Sequence, residues 1–239
     1  MAKSLQTNPQ PALLLVLETS TKVSSVALFE NDILLGLAEY HLEKLHSKAI
    51  MPMVDSLFRD LGKSKSEMSA VVVSSGPGSY TGLRVGVSVA KGLCMGLDIP
   101  LISVNTLEGL AWGLQPFASG VDAMICPMLD ARRMELYYSL FDANMKPIAE
   151  NQILILDESA FSEILQEKKV IFCGDATAKS KSFLETRQNA IILEKEYFSA
   201  AHFGIPSFKK FQEQDFENLT SFEPFYMKEF SASPSVKKL

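Results

Sequence analysis

LETSTKVSSVALFE, residues 17–30, closes an apolar run that begins at Leu13. LLLVLE reads as a buried strand ending in an acid, and VSSVALFE, after a short polar turn, as a second strand ending the same way. The plan recurs in LDARRMELYYSLFD, residues 129–142. Setting Leu17 against Leu129 aligns Glu18 with Asp130, Leu28 with Leu140, Phe29 with Phe141 and Glu30 with Asp142, without a gap. Such self-similarity points to a duplicated unit, and so to two similar α/β lobes rather than one long sheet.

Working outward, Asn31-Asp32 turns the chain into a third strand, after which the period changes. Apolar residues at Ile50, Met51, Val54, Leu57, Phe58 and Leu61 recur at three- and four-residue steps, which predicts an amphipathic helix from His46 to Leu61, ended by Gly62. AVVVSS (70–75) is a fourth strand, a glycine-rich loop and a helix follow, and LISV (101–104) is a fifth strand. The order βββαβαβ defines an α/β lobe with helices over a mixed sheet. Residues 105–121 mix helix and loop signals, so the division is placed at 1–106 and 107–239. In the second part IFCGDA (171–176) and AIILE (190–194) read as strands, but the helical patterns between them are weak, as in a degenerate copy.

The composition is that of a globular protein able to bury a core: 239 residues, 47% hydrophobic, 21% charged. Cys94, Cys126 and Cys173 lie far apart in apolar runs and read as buried thiols of a reducing compartment. The run Ala12 to Leu17 is too short for a membrane span and lacks a signal-peptide cleavage site, so a cytoplasmic protein is expected, with no membrane role. The net charge is −5, and the basic pairs at 132–133, 168–169, 209–210 and 237–238 are scattered among acids. That balance argues against holding a nucleic acid alone.

The loop and helix SSGPGSYTGLRVGVSVAKGL (74–93) fit none of the familiar glycine motifs. No GK[ST] follows Gly76 or Gly78 at P-loop spacing, the GxGxxG position is Thr81 rather than Gly82, and Pro77 and Thr81 stand where a GxSxG elbow needs glycines. What remains is a strand-to-helix turn, with Ser79 or Thr81 as the cap and only the generic anion affinity of a helix N-terminus. The helix carries two stripes of small residues, Gly82-Gly86-Ala90-Cys94 and Ser88-Gly92-Gly96, flanking an apolar one. Each interior glycine costs about 0.5–1 kcal/mol relative to alanine, so close approach of another backbone is expected. The spacing leaves open whether that backbone is the domain's own sheet or a partner helix. His41 and His46 are five apart, not the four of a helical zinc pair, and His202 stands alone; surface or capping roles fit them. Glu18 and Asp130, at the ends of equivalent strands, are the best acidic candidates, with plain turn roles as the alternative.

LETSTKVSSVAL, HSKAIMPMVDSLF, SSGPGSYTGLRVGVSVAKGL with IPLISVNTLEGLA, LDARRMELYYSLF and PFYMKEF (224–230) together resemble the TsaB (YeaZ) family, most densely in the first half of the chain. The resemblance implies the actin-like ATPase (ASKHA, ribonuclease H-like) fold. It implies a non-catalytic subunit of the bacterial machinery that places threonylcarbamoyl on adenosine 37 of tRNAs reading codons that begin with A. It also implies pairing with a TsaD-type catalytic subunit through first-lobe helices, with a TsaE-type ATPase joining and tRNA reached only through the complex. Actin-like ATPases hold phosphate with an acid-x-Gly turn; the corresponding Glu18-Thr19-Ser20 has no glycine, so no nucleotide is expected on this chain alone, and ATP or ADP at the complex interface stays open. Only His46 corresponds to the metal-binding HxxxH of the catalytic relative, so no metal is expected. The docking surface is expected among Ile50, Met51, Val54, Thr81, Arg84, Val85, Gly86 and Ser88, launched by the loop residues Gly76, Pro77, Gly78, Ser79 and Gly82, with a homodimer through the same helices when the partner is absent. The rival expectations are a metal-dependent glycopeptidase or nucleotide-hydrolysing enzyme of the actin-like superfamily, and a self-contained nucleic-acid binder.

Overall fold

The computed structural model describes residues 11–41, 46–194 and 198–228. The first lobe runs β1 (Leu13–Glu18), β2 (Ser24–Glu30), β3 (Ile33–Tyr40), α1 (His46–Asp60), β4 (Ala70–Ser74), α2 (Tyr80–Leu97) and β5 (Leu101–Val104). Two short helices, α3 (Thr106–Trp112) and α4 (Gln115–Val121), lead into the second lobe: β6 (Met124–Asp130), β7 (Glu135–Phe141), β8 (Pro147–Ile155), α5 (Ser162–Glu167), β9 (Val170–Cys173), α6 (Thr177–Leu184) and β10 (Ala190–Ile192). A 3₁₀ turn, Ala200–Phe203, then enters α7 (Gly204–Glu213).

The strand orders, β3-β2-β1-β4-β5 and β8-β7-β6-β9-β10, are the same order twice. In each lobe the central strand pairs antiparallel with the next in sequence and parallel with the fourth. The duplication read from residues 17–30 and 129–142 is therefore a duplication of topology. The second copy is the poorer one: α5 and α6 have 6 and 8 residues where α1 and α2 have 15 and 18.

β1 is buried on both faces, which explains its unbroken apolar run. Leu13, Leu15 and Leu17 point one way, into a core shared with Ile50, Met53, Val54 and Leu57 of α1 and Val87, Ala90 and Cys94 of α2. Leu14 and Val16 point the other way, onto Ala200 and Phe203. Each such leucine contributes about 1.5–3 kcal/mol by leaving water. Residues 200–213, numbered with the second part in the sequence-based division, thus cover the first sheet, while α3 and α4 pack in the second lobe's core with Ile125 and Leu129. An apolar sheet face must be covered, and the first lobe's own two helices are both spent on the opposite side. No helix among the described residues is long and apolar enough to cross a membrane.

Candidate functional site: a sealed turn and an open helical groove

The turn after β1 is closed by its own side chains. Glu18 is fully buried, and its Oε1 accepts from the Ser20 amide at 2.6 Å and from the Ser20 hydroxyl. Its Oε2 and the neighbouring Ser74 hydroxyl oxygen have no hydrogen-bond partner among the described residues. Burial pushes the Glu18 carboxyl above its ordinary range, against the opposing pull of the Ser20 hydroxyl and amide.

Helix α2 lies directly on this turn. Thr19 Oγ1 donates to the Gly82 carbonyl at 2.8 Å, and the Ser79 amide donates to the Ser20 carbonyl at 2.6 Å. A Cβ on Gly82 would stand 2.0 Å from the Thr19 carbonyl oxygen, one on Gly86 2.4 Å from Thr19 Oγ1, and one on Gly78 2.5 Å from the Ser20 carbonyl oxygen. The first small stripe is therefore a seat for the domain's own turn. Ser79 is the cap, its hydroxyl accepting from the Gly82 amide at 3.2 Å. Gly76, at φ +108°, turns the chain where a Cβ would strike the Phe225 carbonyl oxygen at 2.4 Å, and Pro77 follows it, also buried.

The expected docking residues separate into two sets. Ile50 is 1% exposed, Val54 0%, and Gly86 is buried, so these three belong to the core and cannot meet a partner. Apolar spacing marked α1 as amphipathic, but Ile50 and Val54 are on the sheet side of that helix. The others face outward: Thr81, Arg84 and Ser88 are exposed, and Met51 and Val85 half-buried. Thr81, Arg84, Val85 and Ser88 join Ser47, Tyr80 and Val89 around an open groove of about 480 Å³ beside α1. Beyond it Gly92 and Gly96 have nothing within 4 Å of a would-be Cβ, and Met95 is 73% exposed. The second small stripe faces solvent.

One component carried no local sequence signal. The C-terminal segment returns along the first lobe: Ser103 Oγ donates to Glu217 Oε1 at 2.5 Å, and the Phe225 amide donates to the Ser75 carbonyl at 2.7 Å. Tyr226 then packs on Tyr80, ring centroids 5.0 Å apart, and its hydroxyl accepts from Arg84 Nε at 3.1 Å. The Arg84 guanidinium lies 4.1 Å over the Tyr80 ring. PFYMKEF carries a family resemblance but no local pattern that places it here, and its last residues, Glu229 and Phe230, lie outside the described residues.

The equivalent turn after β6 is open. Asp130 is exposed, accepts from the Arg132 amide at 2.7 Å and pairs with Lys179. His41 is a surface residue 3.6 Å from Glu39, His202 is half-buried with its basicity lowered by desolvation, and the His46 side chain lies outside the described residues. All three cysteines are buried free thiols, with Cys94 pushed up to about 11 by burial.

Two copies of one mixed sheet, each with an acid at the end of its central strand, define a protein of the actin-like ATPase fold. YeaZ from Pseudomonas aeruginosa superimposes with a TM-score of 0.74 at 22% identity, over 90% of this chain and 99% of that one. The inorganic polyphosphate/ATP-glucomannokinase from Arthrobacter sp. strain KM gives a TM-score of 0.50 at 12% identity, over 85% and 99%. In sequence, residues 39–238 match the family described as TsaD, tRNA N6-adenosine threonylcarbamoyltransferase. The tRNA threonylcarbamoyladenosine biosynthesis protein TsaB of Bacillus subtilis is 37% identical over 179 residues, 72% of this chain and 75% of that one. Its namesake from Escherichia coli is 34% identical over 129 residues, 53% of each chain. The chain belongs to the TsaB family, whose curated members carry the name of tRNA threonylcarbamoyladenosine biosynthesis proteins.

Proposed function

We propose that this chain is a non-catalytic partner subunit in threonylcarbamoylation of adenosine 37 of tRNA, docking on a TsaD-type catalytic subunit through the outer faces of α1 and α2. A TsaE-type ATPase joins the assembly, and tRNA is met through the complex rather than by this acidic chain alone. The observation that carries the reading is the contrast within α2: the face expected at a nucleotide is filled, and the face away from it is open. Phosphate does not fit the Glu18 turn, because the backbones of Thr19 and Ser20 occupy the space that glycines 78 and 82 leave, and the carboxyl is out of solvent reach. The turn has no room for a nucleotide's phosphates, and an ATP or ADP of the complex belongs at the interface between subunits. Without that partner, the same face pairs two copies of this chain, more weakly because it sets like charges against each other.

The test is threonylcarbamoyladenosine formation on unmodified tRNA with cognate TsaC-, TsaD- and TsaE-type proteins, read by nucleoside chromatography. Product is expected only when this chain is present, and Ser88→Trp, which fills the groove from an exposed position, is expected to abolish it while unfolding is unchanged. Equal product without the chain would refute the reading and return the enzyme alternative.

A further inference from the structure

Around the groove, α2 and the first half of α1 carry a charge pattern at odds with the rest of the chain. Across a protein of net charge −5, α2 contains Arg84 and Lys91 and no acid, and α1 carries Lys48 but no acid before Asp55. Asp55 is itself paired with Lys65. Arg84, Ser88, Lys91 and Met95 follow one another at helical spacing. Among the described residues neither Arg84, Lys91 nor Lys48 enters an ion pair.

Arg84 is also held in one pose although it is exposed. Its guanidinium plane lies over Tyr80, and Tyr226 takes its Nε. The two terminal nitrogens, which form the fork that grips a carboxylate bidentately, have no hydrogen-bond partner among the described residues. The Glu223 carboxylate is close enough to raise the basicity of Arg84, and makes no ion pair with it among the described residues. An arginine whose orientation is set before binding loses less side-chain entropy when it closes on its ligand.

We infer that Tyr80, Arg84 and Tyr226 form a pre-organised receptor for a carboxylate on the partner subunit, with the C-terminal segment supplying a positioning residue, Tyr226, to an interface otherwise built from α1 and α2. The inference rests on the docking reading above and gives its preferred partner a chemistry: a surface bearing Asp or Glu, favoured over a second copy of this chain. Two copies meeting through this face would bring like charges together, which disfavours the homodimer at low salt.

The experiment is calorimetric titration of the intact chain with the cognate TsaD-type subunit at two salt concentrations, with sedimentation equilibrium of the chain alone alongside. Arg84→Ala is expected to weaken binding about 10- to 100-fold, the range for a hydrogen bond to a charged group. Arg84→Lys, which keeps the charge and loses the fork, is expected to recover only part of it. Tyr226→Phe keeps the ring against Tyr80 and is expected to cost about threefold. That effect should vanish in the Arg84→Ala background, since Tyr226 acts through Arg84. Self-association is expected to be weaker at low salt than at high. If Arg84→Ala binds within twofold of wild type while Ser88→Trp does not bind, docking stands and the receptor is refuted. A Tyr226→Phe effect that survives in the Arg84→Ala background overturns the positioning role. Normal binding by every variant, Ser88→Trp included, overturns the docking reading itself.

Discussion

The turns after β1 and β6 occupy the same place in two copies of one sheet, and they have opposite fates. At Glu18-Thr19-Ser20 the side chains close inward, the carboxyl is 0% exposed, and a helix of 18 residues sits on the backbone. At Asp130-Ala131-Arg132-Arg133 the acid is exposed, the arginines point to solvent, and the helix that follows the fourth strand has 8 residues. Both lobes keep the positive-φ glycine after that strand, Gly76 at +108° and Gly174 at +104°. Duplication has kept the scaffold and its obligatory glycine while each turn took a different use. In the first lobe the closed turn fixes α2, whose opposite face lines an open groove.

The comparison breaks most sharply at Gly82. A Cβ there meets main chain, the Thr19 carbonyl oxygen at 2.0 Å, so relief requires moving the turn or the helix. Gly82→Val is expected to destabilise the protein by about 3 kcal/mol or more, measured by urea unfolding. Six residues past Gly174 the second lobe has Ser180, whose hydroxyl donates back to the Ala176 carbonyl at 2.8 Å. Ser180→Ala is expected to cost about 1 kcal/mol or less. Comparable losses at the two positions would show that both turns are equally sealed.

The next contrast is between the two acids. Burial raises the folded-state pKa of Glu18 above the ordinary 4.5, so over the interval above that value the folded chain holds a proton that the unfolded chain has released. Stability from this group is therefore complete at low pH and falls as pH rises from about 4.5 toward the folded pKa. Glu18→Gln removes the slope and leaves an amide whose NH₂ can reach Ser74, an expected gain of about 1–3 kcal/mol at pH 8. Asp130→Asn, at the exposed acid of the open turn, is the matching substitution. Chemical denaturation of both variants between pH 5 and 9 makes the comparison, and a Glu18→Gln profile with the wild-type slope would place the carboxylate in contact with water.

The duplication was legible because strands buried on both faces leave unbroken apolar runs, and because β1 and β6 end in equivalent acids. α2 was legible from its small-residue stripes, and its cap only as Ser79 or Thr81, of which the fold selects Ser79. The destination of each small stripe was not: Gly82 and Gly92 are the same residue type on one helix, and only the fold decides which meets Thr19 and which meets water. Ile50 and Val54 were misassigned to the surface for the same reason, since a helical period identifies an apolar face but not which of two neighbours it packs against. Tyr226 lies 142 residues from Arg84, a separation at which no local pattern operates.

The smallest expected effect lies in the open turn. Arg132 and Arg133 both stand in the left-handed region, at φ +71° and +50°, a conformation that costs a residue with a Cβ about 1 kcal/mol. Lys179 holds them there: its ammonium pairs with Asp130 and donates to the carbonyls of Arg133, at 3.2 Å, and Glu135. Because Asp130 is 47% exposed, solvent screens the ionic part, and Lys179→Met is expected to cost only about 1 kcal/mol. Arg133→Gly removes the left-handed penalty but adds freedom to the unfolded chain, so a net stabilisation of about 0.5 kcal/mol or less is expected, read as a small rise in Tm. The pair of variants separates strain from anchoring. If Arg133→Gly instead lowers Tm, the arginine side chain contributes more than its backbone costs, and the open turn is held by contacts of its own, as the sealed one is.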